Sequence, residues 1–457
     1  MSRSLDVRFE RYCGSMTEAL KHADRAEPTR WYLKGLMLQG GRKSVEPMAA
    51  RLQPDNVRAL HQSMHHLVAQ ASWSDEAMLS AVAHLVLPTI VANNDPVHWI
   101  IDDTGLPKKG THSVGVAHQY CGQTGKQDNC RVAVTLSIAT DKGSIPVGFR
   151  LYLPREWTDD PARCRSVGVP EDVRFATKPA LALQQIEAAQ QAGYPTGTVI
   201  ADAAYGCETS WRERIEQLGL KYAVCTRGTA TVWWGRYQPR RPPARKTGAG
   251  RPRSRTIRDA THQPIAVEQL ARELPAGDWR TVAWREGTAQ VLRSRFARVR
   301  VQVAHENQQR AAEWLIIEWP SAADAPAHYW LSNLPEETSL RALVGTVMSR
   351  WQIERDYQEL KQELGLGHYE GRSWLGFHHH ASLCIAAYGF LMLERLVHGK
   401  KNAPRFAQPA LPEDFRPRGA GSDATTSTEL NRNMALPTGT RNRPKTQRMS
   451  VLRRQAS

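Results

Sequence analysis

The sequence is short of the features that would cross-link a fold or hold it in a bilayer. It has only 7 cysteines in 457 residues. These are Cys13, Cys121, Cys130, Cys164, Cys207, Cys225 and Cys384, odd in number, scattered, and without a Cys-x-x-Cys pair. Neither a disulfide framework nor a zinc knuckle is indicated. No run of about 18 or more apolar residues occurs, and the opening Met-Ser-Arg-Ser-Leu-Asp lacks the apolar core of a signal peptide. These absences lead us to expect a reducing, intracellular setting and no membrane partner. Acid is the other shortage: 45 Asp and Glu face 61 Lys and Arg, for a net charge of +16. That balance fixes no fold, but it favours a polyanionic partner, nucleic acid before membrane.

The length allows about two to four units with a sizeable core. Residues 1–92 read as helical, with periodic apolar positions through 16–20 and 60–68 around a basic, turn-rich stretch at 38–48. A small DNA-binding module and a plain packing or dimerisation domain both remain open there, because no recognition helix stands out. From Pro96 the pattern changes to strands. The run 97–101 ends at Asp102-Asp103-Thr104-Gly105, and strands follow at 131–139 and 145–153 around the turn Asp141-Lys142-Gly143. A helix over 179–192 opens with Pro179, and the strand Thr198–Ala201 runs straight into Asp202. A helix through 211–218 and the strand Lys221–Thr226 complete the series. The spacing predicts an α/β fold over 93–227, a five-stranded sheet flanked by helices, with an aspartate at the ends of its first and fourth strands.

Beyond Arg227 the order lapses. Residues 236–258 are crowded with Arg, Pro and Gly and read as a mobile basic loop. Alternation returns between 281 and 319, most clearly at 291–301. We expect an inserted β-rich unit over 228–328, its arginine face turned to phosphate or to solvent. One more strand at 329–334 leads into the second part of the core, 329–400. The tail, 401–457, is basic and without periodicity, and is expected to be largely disordered.

The helix 350–361 is the stretch around which the rest is organised. Ile353, Tyr357, Leu360 and Leu364 form an apolar stripe, while Arg350, Glu354 and Lys361 fall on a second face. Alone, such a face reads as ordinary Arg–Glu pairing of roughly 0.2–0.5 kcal/mol. Its company changes the reading. Asp103 and Asp202 at strand ends become neighbours if the first and fourth strands pair, and adjacent carboxylates are costly unless a cation bridges them. With Glu354 they have the makings of a clamp for two divalent ions about 3.5–4 Å apart, which serves in-line phosphoryl transfer on a phosphodiester.

Three motifs then give the chain a resemblance to the DDE transposases of bacterial insertion sequences, over about residues 10 to 420. They are Ile101-Asp102-Asp103-Thr104-Gly105-Leu106-Pro107-Lys108-Lys109-Gly110, Val199-Ile200-Ala201-Asp202-Ala203-Ala204-Tyr205-Gly206, and Arg350-Trp351-Gln352-Ile353-Glu354 with Lys361. The third is similar to the Tyr-x2-Arg-x3-Glu-x6-Lys signature of one large branch of that family, with Val347 in the tyrosine position. The resemblance implies an RNase H-like fold and metal ligation by Asp103, Asp202 and Glu354, with Mg2+ or Mn2+ in two sites. Asp103 is preferred to Asp102 because Thr104 follows it; Asp102 is the second choice. Arg350 and Lys361 would hold phosphates beside the scissile bond. Trp351 would stack on an extruded base or else simply pack, and Trp330 is a weaker candidate for the same pocket. Lys108 and Lys109 would touch strand backbone or line a solvated loop. Thr104 and Tyr205 would support the carboxylates.

The family further implies double-stranded transposon ends and target DNA as partners, a homodimer holding two ends, and a cytoplasmic, nucleoid-associated place of work. The expected activity is binding of terminal inverted repeats, hydrolysis there, and strand transfer. An endonuclease without strand transfer and a catalytically silent DNA-binding descendant are the alternatives. Two tempting motifs are set aside. His378-His379-His380 cannot ligate one ion, since adjacent helical residues point apart. Gly122-Gln123-Thr124-Gly125-Lys126 lacks the spacing of a phosphate loop.

Overall fold

The computed structural model describes residues 5–240, 255, 257–286, 291–306 and 308–398. The expected tail and most of the expected basic loop lie outside the described residues. Five helices come first: α1 (Leu5–Leu20), α2 (Ala26–Met37), α3 (Val45–Leu52), α4 (Val57–Ala69) and α5 (Asp75–Ile90). Next come β1 (His98–Pro107), β2 (Ala117–Cys121), β3 (Lys126–Thr140), β4 (Gly143–Leu151), α6 (Arg155–Thr158), α7 (Pro161–Ser166) and α8 (Lys178–Gln191). They are followed by β5 (Thr198–Ala201), α9 (Ala203–Gly206), α10 (Thr209–Gln217), β6 (Lys221–Thr226), β7 (Thr231–Trp233), β8 (Ile265–Ala266) and α11 (Val267–Glu273). The last are β9 (Arg280–Glu286), β10 (Val291–Val303), β11 (Glu313–Glu318), β12 (His328–Ser332), α12 (Leu340–Met348), α13 (Trp351–Gln362) and α14 (Trp374–His398).

One mixed sheet of 12 strands carries the order β2-β3-β1-β5-β6-β12-β11-β10-β7-β8, with β4 also on β3 and β9 on β10. The five expected strands form one part of it. β1, β5 and β6 run parallel, and β3 lies antiparallel to β1. The sheet does not stop at five because the open edge of β6 would leave a row of unpaired backbone groups. β12 takes that edge, and β11 and β10 extend it, so the inserted strands continue the same sheet.

β1 also runs on past its expected end at Ile101. Its pairing to β5 stops at Ile100–Ile200, but β3 supports it as far as Pro107–Cys130. Asp102 and Asp103 therefore lie within a strand, just beyond its parallel partner. The 122–126 stretch is the turn between β2 and β3, closed by Thr124 and Gly125 N–H groups donating to the Cys121 carbonyl.

α14 starts at Trp374, earlier than the sequence suggested, and is buried at Leu383, Ile385, Ala386 and Tyr388. It is long and apolar enough to cross a membrane, yet 78% of its most apolar window is buried inside the protein. It packs on α5, α2 and β4. Its consecutive His378, His379 and His380 point three ways. His378 Nε2 accepts from Leu151 N at 3.4 Å, and His379 bonds the Val68 and Trp73 carbonyls at 3.2 and 2.9 Å. His380 bonds the Tyr32 hydroxyl and the Gly365 carbonyl at 2.9 and 3.0 Å.

Candidate active site

α13 buries the expected stripe: Ile353, Tyr357 and Leu360 are 0%, 6% and 0% exposed. Asp356 is buried with them, and accepts hydrogen bonds from the Ser144 hydroxyl at 2.6 Å and the Tyr388 hydroxyl at 2.8 Å. These contacts fix α13 against β4 and α14, and so fix where Arg350 and Glu354 start from. Asp202 is held differently. It caps α9, its Oδ1 accepting from Ala204 N at 2.9 Å. Gly206 closes that short helix so tightly on β6 that a Cβ there would collide with the Cys225 carbonyl oxygen.

Two charge networks meet at the end of the parallel strands. In the first, Asp103 takes a 2.5 Å ion pair from Lys178 Nζ at the start of α8, and the Tyr205 hydroxyl donates to its Oδ1. Because Tyr205 belongs to α9, this bond links Asp103 to the helix that Asp202 caps. In the second, one guanidinium serves two acids: Arg350 Nη1 lies 2.8 Å from Asp102 Oδ2, and Nη2 lies 2.5 Å from Glu354 Oε1. Successive strand residues face opposite sides of a sheet, which puts Asp102 and Asp103 in separate networks.

Burial separates their chemistry. Burial pushes the Asp102 carboxyl up to about 7 even though Arg350 and the Asp103 N–H pull it down, and the charge of Asp202 adds to the rise. Burial alone would lower Arg350, but Asp102, Glu354 and Asp202 outweigh it and raise the guanidinium further. Lys361 is lowered by burial, with Asp102 acting against the shift. Asp102, Asp202, Arg350 and Lys361 thus share one electrostatic field. The Glu354 side chain stands at the rim, 56% exposed against 19% for Asp102.

The oxygen-only donor set of Asp103, Asp202 and Glu354 suits a hard divalent cation. Among the described residues, no three Asp, Glu, His or Cys side chains lie close enough to hold one ion. Lys178 pairs with Asp103, and Arg350 with Asp102 and Glu354.

The remaining expected residues are spread more widely. Trp351 is half-buried, with the Arg285 guanidinium 4.0 Å from its ring centroid. Trp330 is 7% exposed and packs with Phe296, Trp314, Ile316 and Val347, so its ring has no face free for a base. Val347 is 3% exposed in the same apolar cluster, where a tyrosine would need a partner for its hydroxyl. Lys108 Nζ donates to the Tyr369 carbonyl at 2.5 Å, and Lys109 is exposed. Thr104 is 2% exposed, and its hydroxyl has no partner among the described residues.

Sequence reasoning missed Lys178. The signal was there: Thr177 caps α8 and Pro179 sits in its first turn, so a lysine beside them opposes the helix dipole and needs a nearby acid.

Carboxylates from neighbouring strands and a later helix are groups a nuclease uses, and comparison with known proteins points to that class. The model of the DDE superfamily endonucleases matches residues 15–291, and the chain belongs to that family. The match contains Asp103 and Asp202 and ends before Glu354. The chain is also 28% identical over 228 residues to the probable transposase for insertion sequence element IS701 of Microchaete diplosiphon. That alignment takes in 50% of this chain and 56% of that protein, so the chain spans about half the length of the relative it matches.

Proposed function

We propose that the chain is the transposase of an insertion sequence, acting on nucleoid DNA in the cytoplasm. It would bind the terminal inverted repeats as a homodimer, hydrolyse phosphodiester bonds there and join the freed ends to target DNA. The observation that carries this reading is the Arg350 bridge between Asp102 on β1 and Glu354 on α13, with Asp202 at the β5–α9 junction in the same electrostatic field. The strand order β4-β3-β1-β5-β6, with only β3 reversed against β1 within its parallel neighbours, supports an RNase H-like core. The α1–α5 segment is proposed as the end-binding domain.

In this mechanism Asp202 and Glu354 would hold Mg2+ or Mn2+ together with one aspartate of β1, Asp103 by the family motif or Asp102 by the Arg350 bridge that links it to Glu354. The ions would supply an activated oxygen nucleophile and stabilise the leaving oxygen. The protein's own residues do the positioning. Tyr205 orients Asp103 by its hydroxyl bond. Asp102 keeps Arg350 aimed at the site, so the guanidinium can pass from Glu354 to an incoming phosphate as a bidentate donor. Lys361 supplies a second positive charge on the same helix face. Arg285 withdraws from Trp351 when a base takes its ring face.

The test uses purified protein and labelled DNA carrying the element's ends, in Mg2+ or Mn2+ against EDTA, with Glu354→Gln alongside. Metal-dependent cleavage and joining, lost in Glu354→Gln while binding persists, is the expected result. Cleavage without joining would leave an endonuclease. Binding without cleavage in either metal would leave a silent DNA-binding protein.

A further inference from the structure

A second charged cluster lies apart from the carboxylates, around the loop joining α13 to α14. Lys108 Nζ and Arg131 Nη2 both point at one acceptor, the Tyr369 carbonyl oxygen, at 2.5 and 3.5 Å. Arg131 is 0% exposed, and its guanidinium lies 4.5 Å from the Phe377 ring centroid. From the α2–α3 turn, Lys43 comes in 2% exposed, its backbone N–H donating to His368 Nδ1 at 3.0 Å. Arg42 stands at the rim and pairs with Glu370 at 2.7 Å. Among the described residues Lys43 Nζ and the Arg131 Nε and Nη1 atoms have no hydrogen-bond partner.

Cations buried without partners destabilise a fold, and apolar residues of similar volume would serve stability better. The rings of Phe377 and Tyr369 and one shared carbonyl offset only part of that cost for Arg131. The charges also bear on one another: Lys108 is brought down to about 7 by burial and then by Arg131 and Arg42. A compact anion with several acceptor oxygens would satisfy Lys108 and Arg131 together with Arg42, whereas Lys43 Nζ has Arg51 and Glu363 as its charged neighbours and lies outside that group. Lys108 lies just past the end of β1, the strand that carries Asp102 and Asp103, while Arg42 and Lys109 are exposed at the rim. A nucleic-acid strand engaged at the acids and running towards α2 and α3 would pass this point.

We propose that Lys108 and Arg42, with Arg131 buried behind them, form a phosphate subsite that takes a backbone phosphate of the bound DNA, away from the scissile bond. The inference rests on the DNA-processing reading above and adds to it a contact shared between the N-terminal helices and the sheet. The Tyr369 carbonyl holds Lys108 and Arg131 until the phosphate arrives.

The experiment uses the full chain and the variants Arg131→Met and Lys108→Gln. One arm measures affinity for the element's end duplex across a salt series. The other measures melting temperature in inorganic phosphate against chloride at equal ionic strength. Wild type is expected to melt higher in phosphate, and both variants to lose that rise. Both should also bind duplex more weakly, with the salt slope reduced by about one contact. Arg131→Met should melt higher than wild type in chloride, because it removes an unpaired buried charge.

An unchanged phosphate response and an unchanged salt slope in both variants would overturn the subsite. A lost phosphate response with an unchanged slope would make the ligand a free anion and overturn the DNA contact. If Arg131→Met fails to fold, Lys108→Gln decides alone, since its side chain is only part-buried. Failure of wild type to bind duplex at all would sink the transposase reading, while the phosphate arm would still score the subsite.

Discussion

Arg350 and Asp102 form a 2.8 Å ion pair between residues 248 positions apart, tying the start of α13 to the middle of β1. The same guanidinium reaches Glu354, one helical turn further on. The pair gives adjacent aspartates different work. Asp102 is committed to an arginine, whereas Asp103 is committed to a lysine and a tyrosine hydroxyl beside Asp202.

Asparagine substitutions separate the two roles. Asp103→Asn should abolish cleavage of element ends, since it removes a carboxylate proposed to bind metal. Asp102→Asn should slow cleavage by about 10²-fold, because Arg350 loses its orienting charge at the phosphate. It should leave the melting temperature nearly unchanged, as it also removes a costly buried carboxyl. Single-turnover cleavage and thermal melts measure this. Full activity in Asp103→Asn with none in Asp102→Asn would exchange the roles.

The Arg285–Trp351 contact ties β9 to the first residue of α13, at 4.0 Å from the ring centroid. A double-mutant cycle with Arg285→Ala and Trp351→Ala should return a coupling of about 0.5–1 kcal/mol in stability without DNA. With end DNA bound, the coupling should shrink if a base displaces the guanidinium. A coupling that is zero from the outset would mean the stack is not formed in solution.

Gly206 is the residue most intolerant of a side chain near the acids. Gly206→Ala would press a methyl group into the Cys225 carbonyl and force α9 off β6. The expected loss is about 2–3 kcal/mol of stability by denaturant unfolding, with cleavage reduced as Asp202 shifts. A variant as stable as wild type would show that α9 has room to move.

Some of this was legible in the chain and some was not, for definite reasons. Period 3.6 exposed the buried stripe of α13, and the register of strands and helices located Asp202 at a strand end. Asp356 was illegible, because its burial depends on hydroxyls from Ser144 and Tyr388 on other elements. The true end of β1 was illegible too: Asp102-Asp103-Thr104-Gly105 reads as a turn until β3 is found alongside it. Trp330 looked available because alternation does not reveal that its outer face meets Phe296, Trp314 and Val347. The spacing of His378, His379 and His380 says that they point apart, but their separate carbonyl, hydroxyl and N–H partners come only from the packed structure.

Those histidines set an acid limb on stability. Burial holds His378 and His380 down at about 4, against an ordinary 6.5. His98 is likewise lowered to about 4, again by burial. Between those values the unfolded chain binds more protons than the folded one, so stability rises with pH there and is lost as pH falls from 6.5 towards 4. Asp356 works against this, because burial raises its carboxyl to about 7 and makes the folded state the better proton binder over part of the same range. The histidine contribution is therefore read from a variant. His380→Gln keeps a polar group near Tyr32 and Gly365 but cannot titrate, so its melting temperature should fall less than that of wild type between pH 7 and pH 5. Equal falls in the two proteins would mean that His380 is not held neutral in the fold, and that the acid sensitivity arises elsewhere.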